Sequence, residues 1–267
     1  MGPSSTVELH TGNLMPVIGI GTWQMGSDAT DALKHAIKIG YRMIDTSGDY
    51  GTQPAVGKAF KKSGIPRGEM YIVTKIEEDD NAYEAAKYNV RKMHMEYADL
   101  ILIHRPPRSS AGQDLWNGLA KARDEGIVKD IGVSNYSIGE MQELISESGI
   151  TPVVNQIEWT PFGHSVDMLD FCRENDIIIQ AYSPLTREER INDEQLRQIA
   201  RSYGKTPEQV MLKWCLQLGA IPIPKASNPN HQQKNLDIFD FIISDDDMAS
   251  LNSLNEEYSA LNSLQYV

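Results

Sequence analysis

The chain has 267 residues, which is room for one large domain or two small ones, and about 250 residues is typical of a single α/β barrel. Its formal net charge of −12 and pI near 4.9 argue against nonspecific nucleic-acid or anionic-membrane binding, whose footprint is a basic surface. No apolar stretch approaches the roughly 18 residues of a membrane span, and the first residues lack the basic-then-apolar order of a signal peptide. Cys172 and Cys215 fall in helix-like segments with neither metal-ligand spacing nor a framework of bridges, so a reducing cytoplasm is the default compartment. Two short patterns are set aside. Met1-Gly2 formally opens a myristoylation pattern but is followed by Pro3, and Asn135-Tyr136-Ser137 is a glycosylation sequon only in a secreted chain.

In chain order, residues 7–15 read as a hairpin whose Gly12 and Asn13 supply the positive φ angles of a tight turn, placed to cap one end of the domain. A rhythm of short apolar run, polar residue and helix-period segment then repeats eight times. The runs are 17–21, 41–45, 70–75, 99–104, 129–135, 152–158, 176–183 and 220–225. Between the first two, Ala29, Ala32, Leu33, Ala36 and Ile37 fall at helical spacing, with Asp28 placed as the cap. Thr206-Pro207-Glu208 has the cap, first-turn proline and acid of a helix start. Strands alternating with helices imply parallel pairing with right-handed crossovers, and eight units imply closure. The expected fold is therefore a (β/α)8 TIM barrel with an N-terminal β-hairpin cap, one domain over 1–267. An extra helix over 230–236 follows the eighth run, and Ser244-Asp245-Asp246-Asp247 opens a last helix by capping-box logic.

Seven of the runs end in polar groups: Asp45, Lys75, His104, Ser134 with Asn135, Gln156 with Glu158, Tyr182 with Ser183, and Lys225. A barrel puts all of these ends on the one rim where barrel enzymes build their sites. Four groups carry proton chemistry if they converge. Tyr50 follows Asp45 by a short loop; free tyrosine titrates near 10, so it needs a cation to exchange a proton near neutrality, and Lys75 is the obvious one. Asp45 would hold that lysine charged, and His104 would hydrogen-bond and polarise a substrate carbonyl. This is equipment for adding hydride to a carbonyl without a metal, since no zinc-spaced set such as HExxH is present. Two rivals stay open: a barrel lyase forming a Schiff base on Lys75, and a redox-sensing regulatory protein that keeps a nicotinamide cofactor but turns over little.

The chain resembles the aldo-keto reductase family over residues 7–241, through LHTGNLMPVIGIGTW at 9–23, DTSGDYG at 45–51, TK at 74–75, LIH at 102–104, IGVSNY at 131–136, VNQIE at 154–158, AYSPL at 181–185 and IPK at 223–225. The resemblance implies a catalytic tetrad of Asp45, Tyr50, Lys75 and His104. It implies that Ser134, Asn135 and Gln156 hold the nicotinamide amide, that Tyr182 stacks on the ring, and that Ser183 and Leu185 lie along the pyrophosphate. At the adenosine end it implies Lys225, Ser227, His231 and Asn235, and in the substrate pocket Trp23. It further implies NADP(H) or NAD(H) as cofactor and a small-molecule carbonyl substrate; a barrel of this kind needs no partner to close, so a monomer is the default. The family's glycines also account for Gly19 and Gly21: Gln24 stands where a Rossmann fingerprint needs its third glycine, so close strand packing explains them better.

Departures from the family pattern sit at both ends of the site. Ala226 and His231 replace a serine and an arginine that read the adenosine 2′-phosphate, and Lys234 replaces a glutamate. A histidine carries at best part of the permanent charge of arginine near neutrality, so dual cofactor use with a modest NADP(H) preference is expected. Arg105 replaces a pocket aromatic and either lines the pocket or is solvated. The loop over 186–193 is short, Gln24 replaces a basic latch for it, and little tail follows the last helix, so an open substrate site is expected.

Overall fold

A computed structural model describes residues 2–261. It opens with the antiparallel hairpin β1 (Thr6–Glu8) and β2 (Leu14–Pro16). Gly12 takes the positive φ of the turn, but Asn13 does not; with Thr11 it donates instead to the Asp130 carboxylate, at 2.9 and 2.7 Å. The repeating units follow as β3 (Ile20–Gly21), α1 (Ala29–Ile39), β4 (Met43–Asp45), α2 (Gln53–Ser63), β5 (Tyr71–Ile76), α3 (Ala82–Lys92), β6 (Ala98–Ile103) and α4 (Gln113–Asp124). The second half is β7 (Val128–Ser134), α5 (Ile138–Ser148), β8 (Val154–Glu158), α6 (Val166–Glu174), β9 (Ile178–Tyr182), α7 (Glu194–Ser202), α8 (Pro207–Gln217) and β10 (Ile221–Pro222). Then come α9 (Pro229–Leu236) and α10 (Asp245–Asn252).

Strands β3 to β10 pair in sequence order, all parallel, and a parallel bridge between Gly21 and Lys225 closes the sheet on itself. This is the (β/α)8 barrel that the alternating pattern predicts. The seam admits no side chain: a Cβ on Gly21 would lie 2.9 Å from the Ile223 carbonyl oxygen, and one on Gly19 2.8 Å from Met43. Inside the barrel Met43, Val73, Leu100, Leu102, Val154 and Ile221 pack together, and Leu9 and Met15 of the hairpin plug its N-terminal end. Outside it, the apolar stripes of the helices cover the other face of the strands, which explains why the strands read as continuous apolar runs.

Several helix starts follow the expected chemistry. Thr206 and Gln209 satisfy one another's backbone N–H groups at α8, and Ser137 and Glu140 do so at α5. Asp28 does not cap α1: it ends a short 3₁₀ turn at φ −86° and ψ 2°, and its carboxylate accepts no bond from the first turn. At α10 Ser244 accepts from the Asp247 N–H, but the Asp247 carboxylate takes the hydroxyls of Tyr203 and Ser244 instead of returning to the backbone, so half of the box forms.

Candidate active site

The polar strand ends foreseen in the sequence gather at the C-terminal rim, and most of them line a cavity of about 820 Å³. Its wall includes Trp23, Asp45, Tyr50, His104, Arg105, Ser134, Asn135, Gln156, Tyr182, Ser183, Leu185, Lys225, Ser227 and His231. Two expected residues lie off the wall. Lys75 is completely buried behind Asp45, and Asn235 is buried in α9. Lys234 is exposed and also off the wall.

The centre is built on a pairing across β4 and β5. Lys75 Nζ donates to both carboxylate oxygens of Asp45, at 2.8 and 2.9 Å, and to the Thr46 carbonyl at 2.9 Å, so all three protons are used. Gln156 Nε2 adds a fourth donor to this cluster, 2.8 Å from Asp45 Oδ2. Burial works against the Lys75 charge, but Asp45 and Tyr50 outweigh it and hold the ammonium above the usual lysine range. Nζ lies 4.9 Å from the centre of the Tyr50 ring. The consequence for Tyr50 differs from expectation. Burial dominates, the attraction of Lys75 offsets only part of it, and Asp45 and Asp49 oppose that attraction, so the phenol stays above its ordinary value and keeps its proton near neutrality.

His104 meets Tyr50 edge to face, with centroids 5.8 Å apart at 71°. Its Nδ1 is 2.8 Å from Glu77 Oε1, a partner that the sequence reasoning missed. The available signal was period-two alternation, since Glu77 follows Lys75 by two residues at the end of β5. Burial raises the Glu77 carboxyl, but the hydrogen bond and charge of His104, Arg105 and the Ser47 hydroxyl overcome it and hold the group below the usual range. Asp49, Glu77 and His104 bring one ligand atom each within 4.8 Å of the others, the one such group among the described residues. Arg105 is 45% exposed on the cavity wall, with Nη1 3.8 Å from Glu77 and 3.7 Å from Glu78.

Next to this centre, Asn135 takes a left-handed backbone at φ 62°, a conformation that asparagine tolerates better than most non-glycine residues. That turn lets Nδ2 donate to the His104 carbonyl at 3.0 Å, while Oδ1 accepts the Tyr182 hydroxyl at 2.8 Å. The wall from β10 and α9 brings Lys225, Ser227 and His231, with Asn228 capping α9. Over the mouth, Ser183, Thr186, Arg187 and Glu188 all have positive φ, and the Arg187 guanidinium lies 4.4 Å above the Trp23 ring. The short loop therefore has a latch of its own: the loop carries the cation and the barrel the aromatic face.

The tail closes more of the site than the sequence suggests. The Ser259 hydroxyl and the Ala260 N–H both donate to Glu158 at 2.7 Å, the Tyr258 hydroxyl donates to Glu189 at 2.7 Å, and Leu261 joins the cavity wall. Gly163 makes this path possible, because a Cβ there would collide with the Tyr258 carbonyl at 1.9 Å.

The parallel eight-unit barrel, with its polar cluster at the C-terminal rim, is the architecture of a barrel enzyme, and the comparisons give its family. The chain belongs to the aldo/keto reductase family, whose model matches residues 17–256. It is 37% identical over 258 residues to a glyoxal reductase of Bacillus subtilis, covering 94% of this chain and 93% of that one. The crystal structure of an aldo/keto reductase from Brucella melitensis superposes with a TM-score of 0.90 at 38% identity, covering 94% and 99% of the two chains. An aldo-keto reductase of Bombyx mori solved in complex with NADP superposes with a TM-score of 0.90 at 30% identity, covering 96% and 94%.

Proposed function

We propose that this protein is an NADP(H)-dependent reductase of small aldehydes and ketones, also able to use NAD(H), and that it acts reversibly as a monomer. The observation that carries the reading is the Lys75 ammonium seated on both oxygens of Asp45 beneath Tyr50, with His104 at the edge of the phenol. The residues present fit a nicotinamide dinucleotide. Asn135, in its left-handed backbone, sits among amide and hydroxyl groups suited to a carboxamide, and Lys225, Ser227, His231 and the Asn228-capped start of α9 suit phosphate. When bound, the reduced cofactor supplies the hydride.

Tyr50 gives its proton to the carbonyl oxygen as the C=O π bond breaks, and the phenolate left behind is stabilised by Lys75. Asp45 keeps Lys75 charged and fixed. His104 hydrogen-bonds the substrate oxygen, and Trp23 and Arg105 border the substrate. Ser134, Asn135 and Gln156 hold the carboxamide, Tyr182 faces the ring, and Ser183 and Leu185 line the path of the pyrophosphate. Asn235 supports the adenosine end from inside α9. The Schiff-base alternative is disfavoured by the full burial of Lys75 and its raised pKa, which keep its lone pair protonated.

The test follows oxidation of each reduced cofactor with a panel of glyoxals, aldehydes, ketones and keto acids, with chelator present. Turnover without added metal is expected. Borohydride trapping of substrate on Lys75, or cofactor binding without steady-state turnover, would replace the reading.

A further inference from the structure

We propose that Glu77 is a positioning residue that fixes the protonation of the His104 ring: its carboxylate holds the proton on Nδ1 and leaves Nε2 to face the substrate oxygen as a bare lone pair until a second proton arrives. The consequence for catalysis rests on the reading above, but the ring state itself does not.

Glu77 is well placed for this. Its Oε1 lies 2.8 Å from Nδ1 and also accepts the Ser47 hydroxyl at 3.3 Å, while its own N–H donates to Asp80 at 2.8 Å. An ionised carboxylate can only accept, so the hydrogen on this bond must belong to the imidazole. The balance described above, in which His104 and Arg105 hold the carboxyl below its usual range, keeps Glu77 ionised near neutrality. Asp49, 3.9 Å from Nδ1, is too distant to share the bond. The His104 main chain is pinned on both sides, its N–H donating to the Ile76 carbonyl at 2.8 Å and its carbonyl accepting from Asn135 at 3.0 Å. Ring orientation is thus left to Glu77. Among the described residues Nε2 has no hydrogen-bond partner, and the ring borders the cavity.

This arrangement gives His104 two distinct uses. As neutral imidazole, Nε2 accepts a hydrogen bond from an alcohol, which suits the oxidation direction, and cannot donate to a carbonyl. As imidazolium, Nε2–H donates to the carbonyl oxygen, and the Glu77 carboxylate stabilises that charge from behind. With Nδ1 holding its proton toward Glu77, His104 can donate through Nε2–H in reduction only when the ring carries both protons, while the proton transferred to oxygen comes from Tyr50.

The experiment reads the ring directly. In full-length protein labelled with ¹⁵N-histidine, long-range ¹H–¹⁵N correlations report which ring nitrogen is protonated, with the His104 signals identified by their loss in His104→Asn. Wild type is expected to show Nδ1–H with bare Nε2 where the ring is neutral. Glu77→Gln, whose amide can donate as well as accept, should shift the ring toward Nε2–H. For a substrate that wild type reduces, Glu77→Gln should lower kcat by about tenfold to a hundredfold, the loss of one charge-assisted hydrogen bond, with cofactor Kd unchanged. Glu77→Asp, keeping the carboxylate, should restore the wild-type ring state and part of kcat. An Nε2–H ring in wild type, or the same ring state in wild type and Glu77→Gln, would overturn the proposal. If no carbonyl is reduced by wild type, the proposed function fails while the spectra still decide the role of Glu77.

Discussion

Lys75→Met tests the centre of the site through stability alone. In the folded protein Asp45, with 4% of its side chain exposed, keeps one neutral donor, Gln156, after Lys75 Nζ is removed from both of its oxygens, and the Thr46 carbonyl also loses its donor. Breaking a buried pair from one side costs about 3–5 kcal/mol, because the remaining charge is stranded. At roughly 2–4 °C per kcal/mol for a protein of this size, Tm should fall by about 6–20 °C. Asp45→Asn combined with Lys75→Met should recover part of the loss, since an amide leaves no unpaired charge. Urea unfolding at pH 7 gives the difference from midpoints at a shared slope. The pH arm has a definite sign. The folded Lys75 value is raised, so its contribution is complete below the ordinary lysine value of about 10.4 and is lost only as pH climbs through the higher folded value. On the alkaline side the gap between wild type and Lys75→Met should therefore stay constant from neutrality to about the ordinary lysine value and narrow above it. A loss under about 1 kcal/mol, the size of an exposed pair, would refute a buried ionised Asp45–Lys75 pair.

Tyr50→Phe should lower turnover by about 10² to 10⁴ with cofactor affinity retained, and near-full activity would move the acid role to His104. Because Tyr50 stays above its ordinary value of about 10, alcohol oxidation, which needs the phenolate, should rise steadily toward alkaline pH, and a profile flat from neutrality to pH 10 would contradict this. His231→Arg should tighten NADP(H) far more than NAD(H), read as the ratio of the two dissociation constants at two pH values. An unmoved ratio would show that this position does not read the 2′ group. Arg105→Ala should lower kcat/KM for a keto acid by roughly tenfold relative to a matched neutral ketone, and an unchanged preference would place the guanidinium in solvent.

The barrel was legible because strand and helix periods alternate without interruption, and each apolar run of the sequence overlaps one observed strand, with β5, β6 and β7 each reaching one residue beyond the expected bounds. The rim residues were legible for the same reason: a polar group that ends a buried run has only one place to go. What stayed hidden depends on partners distant in sequence. Glu77 looks like the first acid of a solvated turn until β6 brings His104 beside it. The path of 255–261 rests on Glu158 and on the missing side chain of Gly163, neither of which marks a tail-binding surface by composition. Asp28 has the composition of a helix cap, but a 3₁₀ turn occupies the position where its carboxylate would have been needed. The Tyr50 shift has another origin, since it is set by the balance of burial against a lysine whose charge Asp45 already engages, and a balance of that kind has no sequence signature.

The glycine seam also bears on how the protein is made. Gly21 and Lys225 meet across the bridge that closes the sheet, so the first barrel strand to leave the ribosome waits for the last. Until Ile221–Pro222 emerges, a nascent chain with seven units in place carries two raw strand edges, Ile20–Gly21 and Ile178–Tyr182, each offering unpaired amides to any neighbouring chain. A translational pause after α8 would prolong that exposure. The yield of soluble enzyme should accordingly respond to codon choice around β10 and to chaperone supply more than to changes of similar size elsewhere in the message.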